Sequence, residues 1–481
     1  MARSRTSQFS TVRVASGLVT RLIGVIALVV FGCVIGTGTA LAAPATIAPG
    51  ALSFDQNGNA LQLHGLGIIK VGSTYYGFGE DKVGRSSGDA AFQAVTCYSS
   101  TNLVDWTWER SALTLQASGD LGPNRIVERP KVIFNSTTNQ YVMYIHADSI
   151  DYSDAEVGVA TSSTPCGPYT YLGSWRPQGN QSRDMNLFKD TDGQAYLLSE
   201  DRAAGLRIYR LSADYLSAPT PSIALLTPNH ESPAMVKVGG RYYLFGSSLT
   251  GWDTNDNQYT TATSLSGPWS SWTNFAPAGS KTFNSQTANV ITVQGSSATT
   301  YVYAGDRWTP SDLGNSPMVW LPLTINGTSV SLTWRDRWTI DTATGQWANQ
   351  AVTSNTIIGQ ASSRCVDVPS ARVVPAVQVI IYDCGTASNQ KWIVSSGSTI
   401  VGLQSGLCLG AAGQGTAPGT VAQTQRCDGG AAQRWTVNSD GTIRGVQSGL
   451  CLDAISAGTA NGTKIALWTC NGGNNQRWRL G

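Results

Sequence analysis

Charge is scarce in this 481-residue chain: charged residues make up 13% of it, against roughly 25% in an average globular protein. Glutamate occurs six times, methionine five times and histidine three times. The formal net charge of +2 gives no electrostatic basis for a nucleic-acid partner. Long apolar runs are confined to one N-terminal stretch, and no helical period of useful length appears between residues 50 and 345. What is abundant is glycine (52) together with 15 Trp and 17 Tyr. An apolar content of 41% with so many aromatics excludes a disordered chain. Little charge and many Gly, Ser, Thr and aromatic residues imply an all-β protein of the kind that binds sugars by stacking.

The single apolar run belongs to a leader. Arg3, Arg5, Arg13 and Arg21 form a basic region, Leu22 to Ile35 is apolar, and Ala40-Leu41-Ala42 is a small-x-small cleavage site. Residues 1–42 are therefore expected to be a signal peptide. The mature chain would be secreted and extracellular, with no membrane attachment after cleavage. A lipid anchor on Cys33 fits worse, because Phe31 stands where a small residue is wanted. Cleavage removes four arginines and no acid, taking the charge from +2 to −2, and removes one of nine cysteines. The even remainder in an exported chain argues for disulfides.

The last quarter is a threefold repeat. Cys365, Cys408 and Cys451 are spaced by 43, as are Cys384, Cys427 and Cys470, and Trp392, Trp435 and Trp478 in Gln-x-Trp. Each unit holds two cysteines 19 apart, which fits the bridges Cys365–Cys384, Cys408–Cys427 and Cys451–Cys470. A unit this short cannot bury its own apolar face, so three must close around an axis. The segment 353–481 resembles the ricin-type β-trefoil, carbohydrate-binding module family 13. The resemblance implies a galactose-type sugar site wherever a unit keeps an Asp after the first Cys, an aromatic before the second and an Asn before Gln-x-Trp. Carboxylate and amide bond vicinal hydroxyls while the ring stacks on the apolar sugar face. The first unit has Asp367, Tyr382 and Asn389, and the third has Asp453, Trp468 and Asn475. The second has Gly410, Gln425 and Ala432 instead, so two working sites and one dead one are expected. A purely structural trefoil is the competing reading. The Gln-x-Trp residues read as core.

A looser repeat runs through residues 50–345, in a domain expected over 43–345 and joined to the trefoil by an expected linker at 346–352. Five stretches combine a turn with an aromatic-rich strand: VGSTYYGFGED, TTNQYVMYIHAD, TDGQAYLLSED, VGGRYYLFGSS and SATTYVYAGDR. LVDWTW, GPYTYLG and GPWSSW look like outer strands. The fold class expected is all-β, a five-bladed β-propeller followed by a β-trefoil, with a β-sandwich as the alternative. Glu80, Glu128, Glu200 and Glu231 fall at inner blade edges, whereas Glu109 and Glu156 look like surface residues. Glu200 in LSEDR doubles as a partner for Arg202. His64, His146 and His230 lack ligand spacing, so hydrogen bonding is the better reading for them than a metal triad.

These motifs resemble glycoside hydrolase family 43. Glu231-Ser232-Pro233 before KVGGRYYLFGSS looks like its general-acid motif, and SRDMNLFKDTDGQAYL looks like the segment whose aspartate, here Asp184, orients and tunes the acid. Most of the family has a base Asp at the start of blade one, where this chain reads His64-Gly65. That departure, with HGLGIIKVGSTYYGFGEDK, ERPKV, SRDMNLF, HESPAM, SSLTGW and NSQTANV, resembles the exo-β-1,3-galactanase branch (galactan 1,3-β-galactosidase). The resemblance implies hydrolysis at the non-reducing end of β-1,3-galactan, the arabinogalactan main chain, by inversion. It implies a pocket of Glu80, Arg129, Tyr152 and Asp184 around the terminal galactose. For the water, it leaves Gln286 and Glu128 as two candidates, with Gln286 favoured because Arg129 beside Glu128 should depress its basicity. An α-L-arabinofuranosidase or β-xylosidase of the same family, or a secreted lectin with a dead propeller, are the alternatives. A monomer is expected. No cofactor or metal is called for; a structural Ca²⁺ in the propeller stays open, and no motif encodes it. Whether Cys97 and Cys166 are bridged also stays open.

Overall fold

The structure is a computed structural model, and it describes residues 44–481. The expected signal peptide, 1–42, lies outside the described residues. Among those described, no helix is long and apolar enough to cross a membrane.

A short strand, β1 (Ala45–Ile47), precedes five four-stranded antiparallel sheets. The first contains β2 (His64–Val71), β3 (Thr74–Glu80), β4 (Ala94–Ser100) and β5 (Thr107–Thr114). The second contains β6 (Arg125–Asn135), β7 (Gln140–Ser149), β8 (Glu156–Ser162) and β9 (Thr170–Trp175). The third contains β10 (Met185–Lys189), β11 (Ala195–Asp201), β12 (Gly205–Arg210) and β13 (Ala224–Leu225). The fourth contains β14 (His230–Val238), β15 (Arg241–Ser248), β16 (Gln258–Ala262) and β17 (Thr273–Asn274). The fifth contains β18 (Gln286–Gln294), β19 (Thr299–Asp306), β20 (Met318–Asn326) and β21 (Ser329–Leu332). In each sheet the strands follow chain order, and the first strands adjoin one another in a cycle: β2 with β6, β6 with β10, β10 with β14, β14 with β18, and β18 with β2.

The five aromatic-rich stretches of the sequence are the second strands, β3, β7, β11, β15 and β19. These strands are covered by neighbouring sheets on both faces, so they lose the apolar–polar alternation of a half-exposed strand. In β7, Tyr141 through Asp148 are all buried. Core clusters accordingly lie between adjacent sheets, as where Val95 and Cys97 of β4 meet Met143 and Ile145 of β7. Cys97 and Cys166 are bridged, tying β4 to the turn after β8 in the next sheet.

The segment expected as a linker is partly structured. Trp347–Asn349 forms β23, which pairs with β22 (Trp338–Ile340), and β22 pairs with β1. Trp338, fully buried, anchors this small sheet by donating its indole N–H to the Trp320 carbonyl at 3.0 Å. Extended residues beside a free sheet edge complete its ladder, which their polarity in the sequence conceals.

The trefoil follows. Its three four-stranded sheets close through the last strand, Trp478–Leu480, which pairs with the first, Ile357–Gly359. Trp392, Trp435 and Trp478 are buried and donate to the carbonyls of Val366, Leu409 and Leu452 at 3.0, 2.8 and 2.9 Å. They are core, as the repeat implied. The bridges Cys365–Cys384, Cys408–Cys427 and Cys451–Cys470 are present.

Candidate active site

In four of the five sheets the start of the first strand contributes a side chain to a common centre, Glu128, Asp184, Glu231 and Gln286, while His64 at the equivalent place of the first sheet is fully buried behind it. His64, Glu128, Glu231 and Gln286 pair in register with Glu80, His146, Ser247 and Asp306 of the second strands. In the third sheet Asp184 stands just before β10, its carbonyl accepting the Glu200 N–H at 2.9 Å. Register shifts interrupt the ladders of β2, β6, β14 and β18 beside these residues. Such bulges re-aim side chains at strand ends. The residues after His64, Glu128 and Glu231 take left-handed backbone: Gly65 at φ 63°, Arg129 at 52° and Ser232 at 53°. At Gly65 a Cβ would lie 2.2 Å from Glu80 Oε1, so only glycine fits.

The result is a cavity of about 230 Å³ lined by Glu80, Glu128, Arg129, Tyr152, Asp184, Glu231 and Gln286, with His146, Arg183, Arg202, Trp252 and Trp308. All seven residues expected in the catalytic pocket therefore lie together. Arg129 is the hub. Its guanidinium pairs with Asp184 at 3.0 Å and donates to Gln286 Oε1 at 2.7 Å and to the Thr287 carbonyl at 3.3 Å. Its backbone N–H donates to Glu80 Oε1 at 2.9 Å. Trp308 also donates to Gln286 Oε1, at 2.8 Å, so the amide nitrogen turns to Glu231 Oε1 at 3.0 Å and Ser247 Oγ at 3.1 Å. Glu231 Oε2 accepts from Arg202 Nη2 at 2.9 Å. Ser232 donates to Asp184 Oδ2 at 2.6 Å, which keeps that carboxylate beside the acid motif.

The two central carboxyl groups are pushed apart. Burial, and then the Asp184 charge, raise Glu231 to about 8 against the opposing pull of Arg202. Burial would raise Glu128 as well. There the His146 hydrogen bond and the charges of Lys82, His146 and Arg129 prevail and hold it at about 2. His146 Nδ1 lies 3.4 Å from Glu128 and its Nε2 lies 2.9 Å from Asp148. Burial alone would lower this imidazole, but those carboxylates lift it to about 9. The depression of Glu128 expected from Arg129 alone thus comes mainly from His146 and Lys82, because the Arg129 side chain turns to Asp184 and Gln286. Tyr152 donates to Glu128 at 2.9 Å.

The three histidines stand apart. His64 packs on Trp308, and His230 stacks on Trp272 at 3.8 Å. Among the described residues, Glu128, His146 and Asp184 bring ligand-type atoms within 4.8 Å of one another. Lys82 at 3.7 Å and Arg129 at 3.0 Å already neutralise those carboxylates, which suits a sugar pocket better than a cation. Glu200 is buried and bonded to Arg202 at 2.5 Å, as its sequence neighbourhood suggested. Sequence reasoning missed Arg183, Arg202, Trp252 and Trp308 as pocket residues, and Lys82 as the buried partner of Glu80 and Glu128. Lys82 and Trp252 lie within or at the end of strings already notable, GFGEDK and SSLTGW, and Trp308 directly follows the fifth repeat. Arg183 lies inside SRDMNLF, directly before Asp184, and so also fell within a string already notable.

In the trefoil, Asn389 and Gln390 donate to Asp367 Oδ2 at 2.9 and 2.8 Å, and Asn475 and Gln476 donate to Asp453 Oδ2 at 2.8 Å each. Tyr382 and Trp468 stand 47% exposed beside them, available for stacking. In the second unit the Gln425 side chain occupies the space of the missing carboxylate; a Cβ on Gly410 would lie 2.2 Å from its Oε1. Arg426, the next residue, faces Phe54 of the propeller at 5.9 Å.

Comparison with known proteins agrees with this architecture. The model of glycosyl hydrolases family 43 matches residues 64–318, and that of the ricin-type β-trefoil lectin domain matches residues 353–478. The chain belongs to glycoside hydrolase family 43, and its C-terminal part is a ricin-type β-trefoil. Among solved structures it is similar to an exo-β-1,3-galactanase from Clostridium thermocellum at 32% identity, TM-score 0.60, over 90% of this chain and 99% of that one. It is also similar to the exo-β-1,3-galactanase of Phanerochaete chrysosporium with galactose, at 32% identity, TM-score 0.62, over 91% and 92%. A variant of the latter with β-1,3-galactotriose matches at 38% identity, TM-score 0.61, over 67% and 78%. No curated protein matches.

Proposed function

We propose that this hydrolase acts at the non-reducing end of β-1,3-galactan, releasing galactose or short galacto-oligosaccharides with inversion. One observation carries the reading: a buried Glu231 that keeps its proton to about pH 8 faces, in one small pocket, a Glu128 held ionised. Two carboxyl groups driven apart in this way divide the work of a glycosidase pocket: the protonated one can give a proton to the glycosidic oxygen, while the ionised one can bind hydroxyls of the terminal sugar. The neighbouring exo-β-1,3-galactanases supply the substrate class.

Glu231 donates its proton to the glycosidic oxygen, and Asp184 keeps the acid's proton affinity high. Glu128, Glu80 and Tyr152 accept or share the hydroxyl protons of the terminal galactose. With a proton affinity as low as Glu128 has, a carboxylate is a poor base, which favours Gln286 as the group that holds the water. As the new bond to the anomeric carbon forms and the glycosidic bond breaks, the water's proton leaves to solvent, which also returns a proton to Glu231. The Gln286 amide oxygen is pinned by Arg129 and Trp308. In the sugar-free geometry Gln286 touches Glu231 directly, so the terminal sugar must part them to place its anomeric carbon between acid and water. The cavity is below the roughly 300–1,000 Å³ of drug-sized ligand sites, which suits one terminal sugar and thus exo action. Trp252 and Trp308, edge to face at 5.0 Å, supply the aromatic wall. The trefoil holds galactose-type sugars at its first and third units and keeps the enzyme on the polymer. The leader and bridges fit an exported monomer.

Product analysis on β-1,3-galactan against aryl arabinosides and xylosides tests the specificity. Proton NMR of the first product tests inversion: an initially retained β-anomer would require a carboxylate nucleophile and overturn the mechanism.

A further inference from the structure

The chain enters Gln286 through an unfavourable turn. Lys281, Thr282, Phe283 and Asn284 all take left-handed backbone, at φ 52°, 49°, 58° and 56°, and none is glycine. In this region the Cβ crowds the following carbonyl, so single residues adopt it and runs do not. The Ser285 N–H closes the turn by donating to the Lys281 carbonyl at 3.2 Å, and Gln286 follows at once. A run of this kind persists only where its surroundings impose it, and such segments gather at functional sites. Here the surroundings come largely from the loop before β16. Asp256 accepts the backbone N–H groups of Gly279 and Lys281 at 2.6 and 2.7 Å. Asn257, the next residue, is 1% exposed. Its backbone N–H donates to Thr282 Oγ1 at 2.7 Å, inside the turn. Its Nδ2 donates to the Ser285 carbonyl at 3.2 Å, and its Oδ1 accepts the Thr287 N–H at 2.7 Å and the Thr287 hydroxyl at 2.8 Å. One side chain of the fourth sheet thus grips the residues on both sides of Gln286 in the fifth. Arg307 adds a hydrogen bond to the Phe283 carbonyl at 2.7 Å.

The geometry points to Asn257 as a positioning residue that holds the left-handed turn and the start of β18 in place, and so sets where the Gln286 amide meets the attacking water. This rests on Gln286 being the group that holds the water. The contacts at the amide itself, to Arg129, Trp308, Ser247 and Glu231, fix where the amide points. Asn257 fixes the backbone from which the side chain reaches. Both controls are needed, because the terminal sugar parts Gln286 from Glu231, and a turn released from Asn257 would relax toward ordinary backbone and carry Gln286 with it. Asn257 is not among the residues lining the cavity. The residues that hold the terminal sugar, Glu80, Glu128 and Tyr152, belong to the first and second sheets. Its effect should therefore fall on turnover and spare sugar binding.

The test is hydrolysis of β-1,3-galactotriose by Asn257→Ala, by Gln286→Ala and by the double variant. Displacing a working group by an ångström costs up to about 10²-fold in rate. Asn257→Ala should accordingly lower kcat by about 10- to 100-fold and leave KM near the parental value. Because Asn257 acts through Gln286, the double variant should be about as slow as Gln286→Ala alone. A merely structural lesion would slow both backgrounds by the same factor. Losses that multiply in the double variant, a parental kcat in Asn257→Ala, or a loss confined to KM would each overturn the proposal. Asn257→Asp keeps the acceptor for Thr287 and loses the donor to Ser285, so its kcat should lie between those of the parent and Asn257→Ala. It carries the same comparison if the alanine variant does not fold. A parental kcat in Gln286→Ala alone would instead remove Gln286 as the water holder, and the role of Asn257 with it.

Discussion

Replacing Glu231 by glutamine removes a titrating proton while keeping nearly the same shape. The carboxyl accepts from Gln286 Nε2 and Arg202 Nη2. An amide can accept only one of these; its NH₂ must face the other donor. One hydrogen bond is lost, a cost of about 0.5–1.5 kcal/mol, so the fold and the sugar pocket should survive. Turnover should fall by about 10²–10⁴, the usual contribution of general acid catalysis, which is about 2.7–5.4 kcal/mol of barrier. The pH signature is sharper than the rate. Activity of the parent enzyme needs Glu231 protonated, so it falls as pH rises through about 8, and the variant's residual rate should lack that limb. Stability carries the same sign. The native carboxyl holds its proton to about 8 and the unfolded one only to its ordinary 4.5. The stabilisation is therefore full below 4.5 and is lost as pH rises through about 8; the variant's stability should be flatter across that window. The assay is galactose release from β-1,3-galactotriose across pH, with calorimetric binding of the same trisaccharide as control. Near-parental turnover, or an unchanged basic limb with intact binding, would refute the assignment.

Gln286→Ala should chiefly lower kcat, and Glu128→Gln should chiefly raise KM; a Glu128→Gln variant whose loss is in kcat and is rescued by azide would reverse the two roles. Asp367→Ala combined with Asp453→Ala should abolish retention on galactose-rich polymers in affinity electrophoresis while leaving trisaccharide hydrolysis intact, whereas changing Gln425 should do nothing to retention. Removing the Cys97–Cys166 bridge, whose cysteines are 69 residues apart, should destabilise by about 4 kcal/mol in the chain-entropy account. Thermal unfolding of the Cys97→Ala, Cys166→Ala double variant measures it, and an unshifted Tm would mean that sheet packing alone secures that face.

Much of this molecule was readable in the chain because repetition leaves an arithmetic trace. A constant period of 43 in Cys and Gln-x-Trp specifies three equal units, their bridges and their buried indoles, since each unit is stable only against its copies. The five aromatic stretches marked the second strand of every sheet, because a strand buried on both faces must be apolar throughout. The motifs around Glu231, Asp184 and Gln286 marked the pocket through their resemblance to the family's own, and the bulges beside Glu231 and Gln286 show how those strand starts aim the side chains. Tertiary structure decided what depends on distance across the ring. The Arg129 side chain could have served its neighbour Glu128, but it reaches Asp184 and Gln286 instead, and His146 and Lys82 set the charge on Glu128. Trp308, Trp252 and Arg183 come from loops, whose sequences carry no period, and only closure of the ring brings them to the pocket. The pairing of Cys97 with Cys166 and the strand within the expected linker were likewise settled by which edges the packed sheets bring together.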